Sequence, residues 1–210
     1  MRLKNIKGAK EVVEQGIYHI NNPKEYKGKW QELFNNNNEI YIEIGMGKGD
    51  FIIENALKYP NINFIGIEKY DSVLIRAIQK SNELELSNLK LIRMDAEEIE
   101  SIFDKEIELI YLNFSDPWPK DRHAKRRLTS SRFLNRYDNI FKNTKKIIMK
   151  TDNLGLFEYS LESIKEHGKF KLVDYTFDYQ FDKENDGMSE YEKKFREIGT
   201  KINRLVCVKE

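Results

Sequence analysis

The feature that most constrains the fold of this chain is a regular alternation of short apolar runs with segments of helical periodicity. From residue 39 onward, five apolar runs are typical of buried strands: 39–44, 63–68, 89–94, 107–114 and 146–150. Each is followed by apolar residues at helical spacing: 50–59, 70–86, 96–103, 130–141 and 154–166. Two later strands, 171–181 and 202–208, are joined by a polar, helix-leaning insert at 182–199. The pattern predicts an α/β, doubly wound, mostly parallel seven-stranded Rossmann-like sheet with an antiparallel edge hairpin.

Length and composition indicate a single folded domain. The chain has 210 residues, of which 40% are hydrophobic and 34% charged. Residues 1–38 are polar and basic, and we expect an N-terminal extension packed on or near a domain of residues 39–210. The net charge of +1 favours no partner, so only local charge clusters are informative. The single Cys207 and the lack of an apolar run of about 18 residues predict a cytoplasmic protein without a membrane segment.

A glycine-rich turn follows the first predicted strand, with the pattern Glu43-x-Gly45-x-Gly47-x-Gly49. Glycines between a strand and a helix allow sharp turning and a close backbone approach to a ligand. The dinucleotide fingerprint G-x-G-x-x-G would need glycine where Asp50 stands, and no P-loop Gly-Lys-Ser/Thr is present. The spacing is similar to the first motif of S-adenosylmethionine-dependent methyltransferases. A nicotinamide cofactor is the alternative.

Acids stand at the ends of three consecutive predicted strands. Ligands of open α/β sheets bind outside the carboxyl ends of the strands. Glu68 is therefore a candidate to accept both ribose hydroxyls of an adenosyl cofactor, and Asp95 to accept from its adenine amino group. Glu43 is a candidate partner for the cofactor's ammonium group. The alternative is that Glu68 and Asp95 only cap the helices that follow them.

A dense polar segment, 116–127, follows the fourth predicted strand. It begins with Asp116 and a Pro-Trp-Pro turn at 117–119, and it continues with five basic residues: Lys120, Arg122, Lys125, Arg126 and Arg127. Such a run is often only a solvated helix face, but beside an active-site turn it favours contacts to phosphates. Phosphate contacts position a nucleic acid without reading its sequence.

Segment 115–128 resembles, nearly residue for residue, the signature of bacterial tRNA (guanine-N(7)-)-methyltransferases. Further matches lie at 27–30, 43–49, 66–68, 150–153 and 191–195. The resemblance covers about residues 18–205 in the expected order. It implies a class I methyltransferase fold, with S-adenosylmethionine as cofactor, S-adenosylhomocysteine as product, tRNA as partner and no metal.

The resemblance also implies a role for each matching position. Asp116 is implied to be catalytic. Cofactor contacts are implied for Glu43, Gly45, Gly47, Gly49, Glu68, Asp95 and Asp116. Substrate contacts are implied for Lys120, Asp152, Ser189, Glu190, Tyr191 and Glu192. RNA contacts are implied for Arg122, His123, Ala124, Lys125, Arg126 and Arg127. Ser189 stands where the family usually has Thr, so a hydroxyl group is retained.

The implied reaction is methylation of N(7) of a guanosine in the tRNA variable loop, which forms 7-methylguanosine. That nitrogen already carries an in-plane lone pair, so no general base is required. Alignment can contribute roughly 7–11 kcal/mol in favourable cases. Asp116 and Asp152 are candidates to orient guanine and to stabilise the positive charge that develops on its ring.

Three other functions stay open at this point. One is methylation of another nucleic-acid amine, since Asp116-Pro117-Trp118 loosely resembles a D-P-P-W motif in which the prolines are adjacent. The second is a catalytically silent tRNA-binding protein, which failure to bind S-adenosylmethionine would favour. The third is a nicotinamide oxidoreductase, disfavoured by the glycine spacing. The oligomeric state, monomer or homodimer, is also open.

Overall fold

A computed structural model describes residues 8–184 and 186–209 of the protein. Over these residues, seven strands form one sheet in the order β3-β2-β1-β4-β5-β7-β6. Strands β1 to β5 are parallel, and β7 runs antiparallel to both β5 and β6. The strands are β1 (Ile40–Ile44), β2 (Asn63–Glu68), β3 (Leu89–Arg93), β4 (Ile107–Asn113), β5 (Phe141–Thr151), β6 (Lys171–Thr176) and β7 (Asn203–Lys209). The predicted fold class, with its antiparallel edge hairpin, is confirmed.

Helices cover both faces of the sheet. They are α1 (Ala9–Glu14), α2 (Trp30–Phe34), α3 (Asp50–Lys58), α4 (Asp71–Ser81), α5 (Ser131–Ile140), α6 (Leu154–His167) and α7 (Glu190–Glu197), with 3₁₀ helices at Pro23–Tyr26, Ala96–Ser101 and Asp121–Arg126. Side chains alternate across each strand, so Ile40 and Ile42 pack in one core while Tyr41 packs against the other. In the part of the chain described, no helix is long and apolar enough to cross a membrane.

The element boundaries differ from the predicted ones where side chains redirect the backbone. The helix predicted at 70–86 ends at Ser81, because the Tyr18 hydroxyl donates to the Leu84 carbonyl and accepts from the Leu86 amide. Strand β5 begins earlier than predicted because Phe141 already pairs with Ile107 of β4, before an irregularity in the register, while residues 145–151 pair with β7. Strand β6 ends earlier than predicted, at Thr176, and lies at the sheet edge.

Residues before β1 contribute directly to the core. Trp30 is fully buried, and its indole Nε1 donates to the Ile102 carbonyl at 2.7 Å. The Ile20 amide donates to the Leu91 carbonyl at 2.9 Å, next to the edge strand β3. Helix α1 packs on α4. A boundary at residue 38 stays a prediction.

Replacing Trp30 by Phe tests how strongly this segment is tied to the sheet. We expect the free energy of unfolding to fall by about 1–3 kcal/mol, because the buried Ile102 carbonyl loses its donor. Urea unfolding measures the change. The control is Ile17→Ala, since the Ile17 side chain is 70% exposed and its loss should cost less than about 0.5 kcal/mol. A loss of less than about 0.5 kcal/mol for Trp30→Phe would show that this hydrogen bond contributes little to the stability of the fold.

Candidate functional site

The glycine turn lies at the carboxyl end of β1. Gly45, Gly47 and Gly49 have φ of 75°, 59° and 80°, a region that favours glycine. A Cβ on Gly45 or Gly47 would meet nothing within 4 Å, so the turn presents bare backbone to open space. A Cβ on Gly49 would lie 2.8 Å from the Ala77 Cβ. Two of the glycines therefore leave room for a ligand, whereas Gly49 also permits close packing of the turn on α4.

A small cavity lies between this turn and residues 189–191. Its volume is about 40 Å³, room for only a few atoms, and Glu43 and Asn113 form part of its wall. The Asn113 amide nitrogen donates to Glu43 Oε1 at 2.9 Å. Glu43 Oε2 and Asn113 Oδ1 are buried without a hydrogen-bond partner in the described residues. Burial raises the pKa of Glu43 to about 8, against the opposing effects of the Asn113 hydrogen bond and of Lys150. Two buried acceptors side by side indicate a site for a donor group, and a cationic donor suits it best.

The acids after β2 and β3 bond to nearby backbone. Glu68 is buried and accepts from the amides of Lys69 at 2.7 Å, Tyr70 at 3.0 Å and Gly47 at 3.1 Å. Burial raises the pKa of Glu68, although these amides act in the opposite direction. Asp95 caps the next 3₁₀ helix by accepting from the Glu97 amide at 3.0 Å and pairs with Lys69 at 2.6 Å. Asp95 therefore acts as the helix cap of the alternative reading, whereas Glu68 bonds to the turn before α4 and does not cap that helix. The bond from Gly47 also ties Glu68 to the glycine turn.

Asp116 lies on a strained turn just beyond β4. Two flanking residues, Phe114 and Trp118, have φ of 51° and 42°, an uncommon region for aromatic residues. Strain of this kind persists only where the surrounding structure enforces it, and it clusters at functional sites. Asp116 is exposed, and its carboxylate makes no hydrogen bond or ion pair to any described residue. The turn therefore presents a free carboxylate two residues from Phe114, which lines the cavity.

Arg127 holds this turn together. Its Nε donates to the Pro117 carbonyl at 3.1 Å, and its Nη2 donates to the Trp118 carbonyl at 3.0 Å. Its guanidinium also lies 4.2 Å from the centre of the Tyr159 ring. These contacts hold the Arg127 guanidinium against the protein. Among the predicted RNA-contact residues, Arg127 therefore has a structural role in the turn.

The other members of that group form the 3₁₀ helix Asp121–Arg126 and its surroundings. Arg126 lies 4.9 Å from the centre of the Trp118 ring, and His123 meets the same ring edge-on at 5.7 Å. Ala124 is half-buried and has no polar side chain to offer. Four cations of segment 116–127 are exposed and have no ion pair to any residue the structure describes: Lys120, Arg122, Lys125 and Arg126. Of these, Arg126 lies over the Trp118 ring.

Three of the predicted substrate residues line the cavity: Ser189, Glu190 and Tyr191. The Ser189 hydroxyl caps α7 by accepting from the Glu192 amide at 3.0 Å, and Glu190 pairs with Lys48 of the glycine turn at 2.7 Å. Tyr191 is 54% exposed and is the outer ring of a stack that continues through Phe195 to Phe114.

Of the other three substrate candidates, Lys120 is exposed beside the Asp116 turn, and Asp152 and Glu192 have opposite surroundings. Asp152, just after β5, is half-buried and has no hydrogen bond within residues 8–184 and 186–209. Glu192 is fully buried, and its carboxylate is bonded to Lys150 and Arg196. Asp152 is therefore available to a ligand, whereas Glu192 faces the protein interior.

Sequence reasoning missed Asn113 and Lys150, which lie opposite each other on β4 and β5. Both are polar residues at the end of an otherwise apolar strand, and both are buried. A polar residue in such a position needs a specific partner, and this signal could have identified them as site candidates.

A larger depression, of about 610 Å³, lies at the opposite edge of the sheet. It is open and polar, and its lining includes Gly28, Lys29, Asn35, Asn36, Asn37, Asp104, Lys105, Glu106 and Lys142. These residues precede β1 and β4 or lie at the start of β5, at the amino ends of the strands. Ligands of parallel sheets bind at the carboxyl ends, so the smaller cavity beside the glycine turn is the candidate site.

Comparison with solved structures identifies the class of fold. An antibiotic-related methyltransferase superposes with a TM-score of 0.64 at 18% identity, covering 86% of this chain and 92% of the other. A SAM-dependent methyltransferase from Aquifex aeolicus gives a TM-score of 0.59 at 10% identity, covering 96% and 98%. The fold is that of class I methyltransferases.

Sequence comparison identifies the family. Residues 37–205 match a family described as "Putative methyltransferase". A tRNA (guanine-N(7)-)-methyltransferase from Lachnoclostridium phytofermentans is 53% identical over 213 aligned positions, covering 100% of this chain and 99% of the relative. The chain belongs to the family of tRNA (guanine-N(7)-)-methyltransferases.

Proposed function

We propose that this protein transfers a methyl group from S-adenosylmethionine to N(7) of a guanosine in the variable loop of tRNA. The observation that carries the proposal is the pair of buried acceptors, Glu43 Oε2 and Asn113 Oδ1, beside the bare backbone of the glycine turn. An amino-acid ammonium group supplies the donors that this pair needs. Family membership then supports tRNA guanine as the methyl acceptor.

The donor and acceptor groups around the glycine turn support binding of each polar end of the cofactor. Glu43 and Asn113 would hold its ammonium group, Glu68 its ribose hydroxyls and Asp95 its adenine amino group. A carboxylate has about four acceptor positions. Glu68 already accepts three backbone hydrogen bonds, so one of them would give way when both ribose hydroxyls bind. Asp95 accepts from the Glu97 amide and from Lys69, so positions remain for the adenine amino group. S-Adenosylmethionine, when bound, supplies an electrophilic methyl group on a sulfonium centre.

The chain's own contribution to the reaction is alignment and charge. Asp116 and Asp152 would accept hydrogen bonds from the ring amide and exocyclic amine of guanine, a donor pattern that adenine lacks. The guanine ring gains positive charge as it is methylated, and fixed carboxylates facing it would stabilise that charge. The hydrogen bonds of Arg127 hold the strained turn in place, so the Asp116 carboxylate would keep its position facing the guanine ring. No side chain needs to remove a proton before the transfer.

Lys120, Arg122 and Lys125 would hold tRNA phosphates beside this turn. They are exposed and have no ion-pair partner in the described part of the chain. Arg127 would support tRNA binding indirectly, because its hydrogen bonds to the Pro117 and Trp118 carbonyls hold the turn in place. We place the protein in the cytoplasm with its tRNA substrate, as a monomer or homodimer.

Replacing Arg122 and Lys125 together by Ala tests the phosphate contacts. We expect weaker tRNA binding and a slope of log K against log salt that is shallower by about one to two units. Filter binding across a salt series measures both quantities. The matched control is Lys142→Ala with Lys165→Ala, which removes the same charge from exposed sites at the amino ends of the strands. A slope unchanged in the first variant, or changed equally in the control, would contradict the assignment.

The proposed function is tested by incubating the protein with unmodified tRNA and methyl-labelled S-adenosylmethionine, followed by nucleoside analysis. We expect label in 7-methylguanosine from the variable loop. Label in methylated adenosine would favour the other methyltransferase function. Binding of tRNA without methyl transfer or cofactor binding would favour the catalytically silent tRNA-binding protein.

A further inference from the structure

A buried ion cluster lies behind the candidate site, centred on Lys150. The Lys150 side chain is 1% exposed, and its Nζ donates to Asp186 Oδ2 at 2.7 Å and to Glu192 Oε2 at 2.8 Å. The ammonium also lies 4.9 Å from the centre of the Phe51 ring. A buried lysine of this kind is costly unless carboxylates pair with it, so the three charged groups depend on one another.

Glu192 has no free oxygen in this cluster. Its Oε2 accepts from Lys150, and its Oε1 accepts from Arg196 Nε at 3.1 Å and Nη2 at 2.8 Å. The side chain is 0% exposed. A contact between this carboxylate and guanine would require α7 to turn and both bonds to break. That cost disfavours the substrate contact that the resemblance implied for Glu192.

The cluster fastens one wall of the cavity. Glu192 anchors the first turn of α7, and Asp186 anchors the segment that leads into it. Between these two anchors lie Ser189, Glu190 and Tyr191, which line the cavity opposite Glu43. Outside the cluster, the wall is tied to the glycine turn by the Lys48–Glu190 pair and to α3 by the Met188 amide, which donates to Glu54 at 3.0 Å.

We infer that Lys150 and Glu192 are positioning residues, whose buried ion pair fixes residues 189–191 against the cofactor cavity. Neither side chain contacts guanine. The inference rests on the proposed function, because the wall they hold is taken to belong to the methyl-transfer site. Lys150 thereby has a positioning role, and for Glu192 positioning replaces the substrate contact that the resemblance implied.

Binding of S-adenosylhomocysteine without tRNA separates the two roles of Glu192. If Glu192 positions the wall, Glu192→Gln should weaken this binding by about tenfold, a size usual for coupled contacts. Saturating S-adenosylmethionine should then restore much of kcat. If Glu192 contacts guanine, cofactor binding should be unchanged and turnover should stay low at any cofactor concentration, which would overturn the inference. Glu197→Gln, an exposed acid on the same helix, is the matched control.

Two further variants keep the test decisive if Glu192→Gln folds poorly. Arg196→Gln removes the outer partner, which is 23% exposed, and should weaken S-adenosylhomocysteine binding in the same direction. Lys150→Met combined with Glu192→Gln should cost less than the sum of the single changes, because each single change already breaks the Lys150–Glu192 pair. Strict additivity, or normal binding by Arg196→Gln, would contradict the inference. Failure of the proposed function is distinct, since the unaltered protein would then form no 7-methylguanosine in tRNA, whatever the affinities of the variants for S-adenosylhomocysteine.

Discussion

Replacing Asp116 by Asn is expected to lower kcat by about two to three orders of magnitude, the usual loss when one fixed electrostatic contact to a transition state is removed. The amide keeps the shape of the side chain but removes the negative charge that faces guanine as the ring becomes cationic. The turn should keep its conformation, because the hydrogen bonds that hold it come from Arg127 and not from Asp116. S-Adenosylhomocysteine binding should weaken by about tenfold at most.

Single-turnover methylation of tRNA measures this effect separately from binding. Asp121→Asn is the control. Asp121 is exposed on the neighbouring 3₁₀ helix, so this substitution removes an equal charge from the same surface. The control should retain nearly full activity. A near-normal rate for Asp116→Asn, or an equal loss in the control, would refute a specific role for this carboxylate.

Replacing Glu43 by Gln is expected to weaken S-adenosylhomocysteine binding by about 100-fold or more. The carboxylate is buried, and removal of one partner of a buried ion pair commonly costs about 3–5 kcal/mol. Calorimetric titration measures the loss. Glu39→Gln is the matched control, because Glu39 is exposed and lies next to the other end of β1. Equal affinities of the two variants would show that the ammonium group is held elsewhere.

The same variant should remove a pH dependence. Burial raises the pKa of Glu43 to about 8, so the ligand-free carboxyl group is mostly protonated at pH 7. Pairing with an ammonium group favours the carboxylate, so binding releases a proton. Affinity should therefore rise with pH by up to about tenfold per unit between about pH 6 and 8. The unaltered protein should show this rise, and Glu43→Gln should not. A flat profile in both would contradict the assignment.

The sheet and the location of the site could be predicted from sequence because their signals are local. Apolar runs mark buried strands, and the glycines of 45–49 stand immediately after one of them. Because the strands are parallel, the carboxyl ends of β1, β2 and β3 lie together at one edge of the sheet, independently of the loop conformations. What the sequence does not contain is the direction of individual charged side chains.

Arg127 and Glu192 illustrate that limit. Both lie in motifs that the resemblance associates with RNA or substrate, and both are turned into the protein. Arg127 bonds to the turn ten residues before it, and Glu192 pairs with Lys150, 42 residues away in the chain. Whether a charged residue pairs with a ligand or with another part of its own chain depends on tertiary contacts. Neither periodicity nor motif spacing records those contacts.

The most direct test of the central claim removes the atom that is proposed to be methylated. A tRNA with 7-deazaguanosine in place of the variable-loop guanosine keeps the ring amide and exocyclic amine but has no nitrogen at position 7. We predict that this tRNA competes with ordinary tRNA for binding but receives no methyl group from S-adenosylmethionine. Methylation of the altered tRNA at the normal rate would contradict the account.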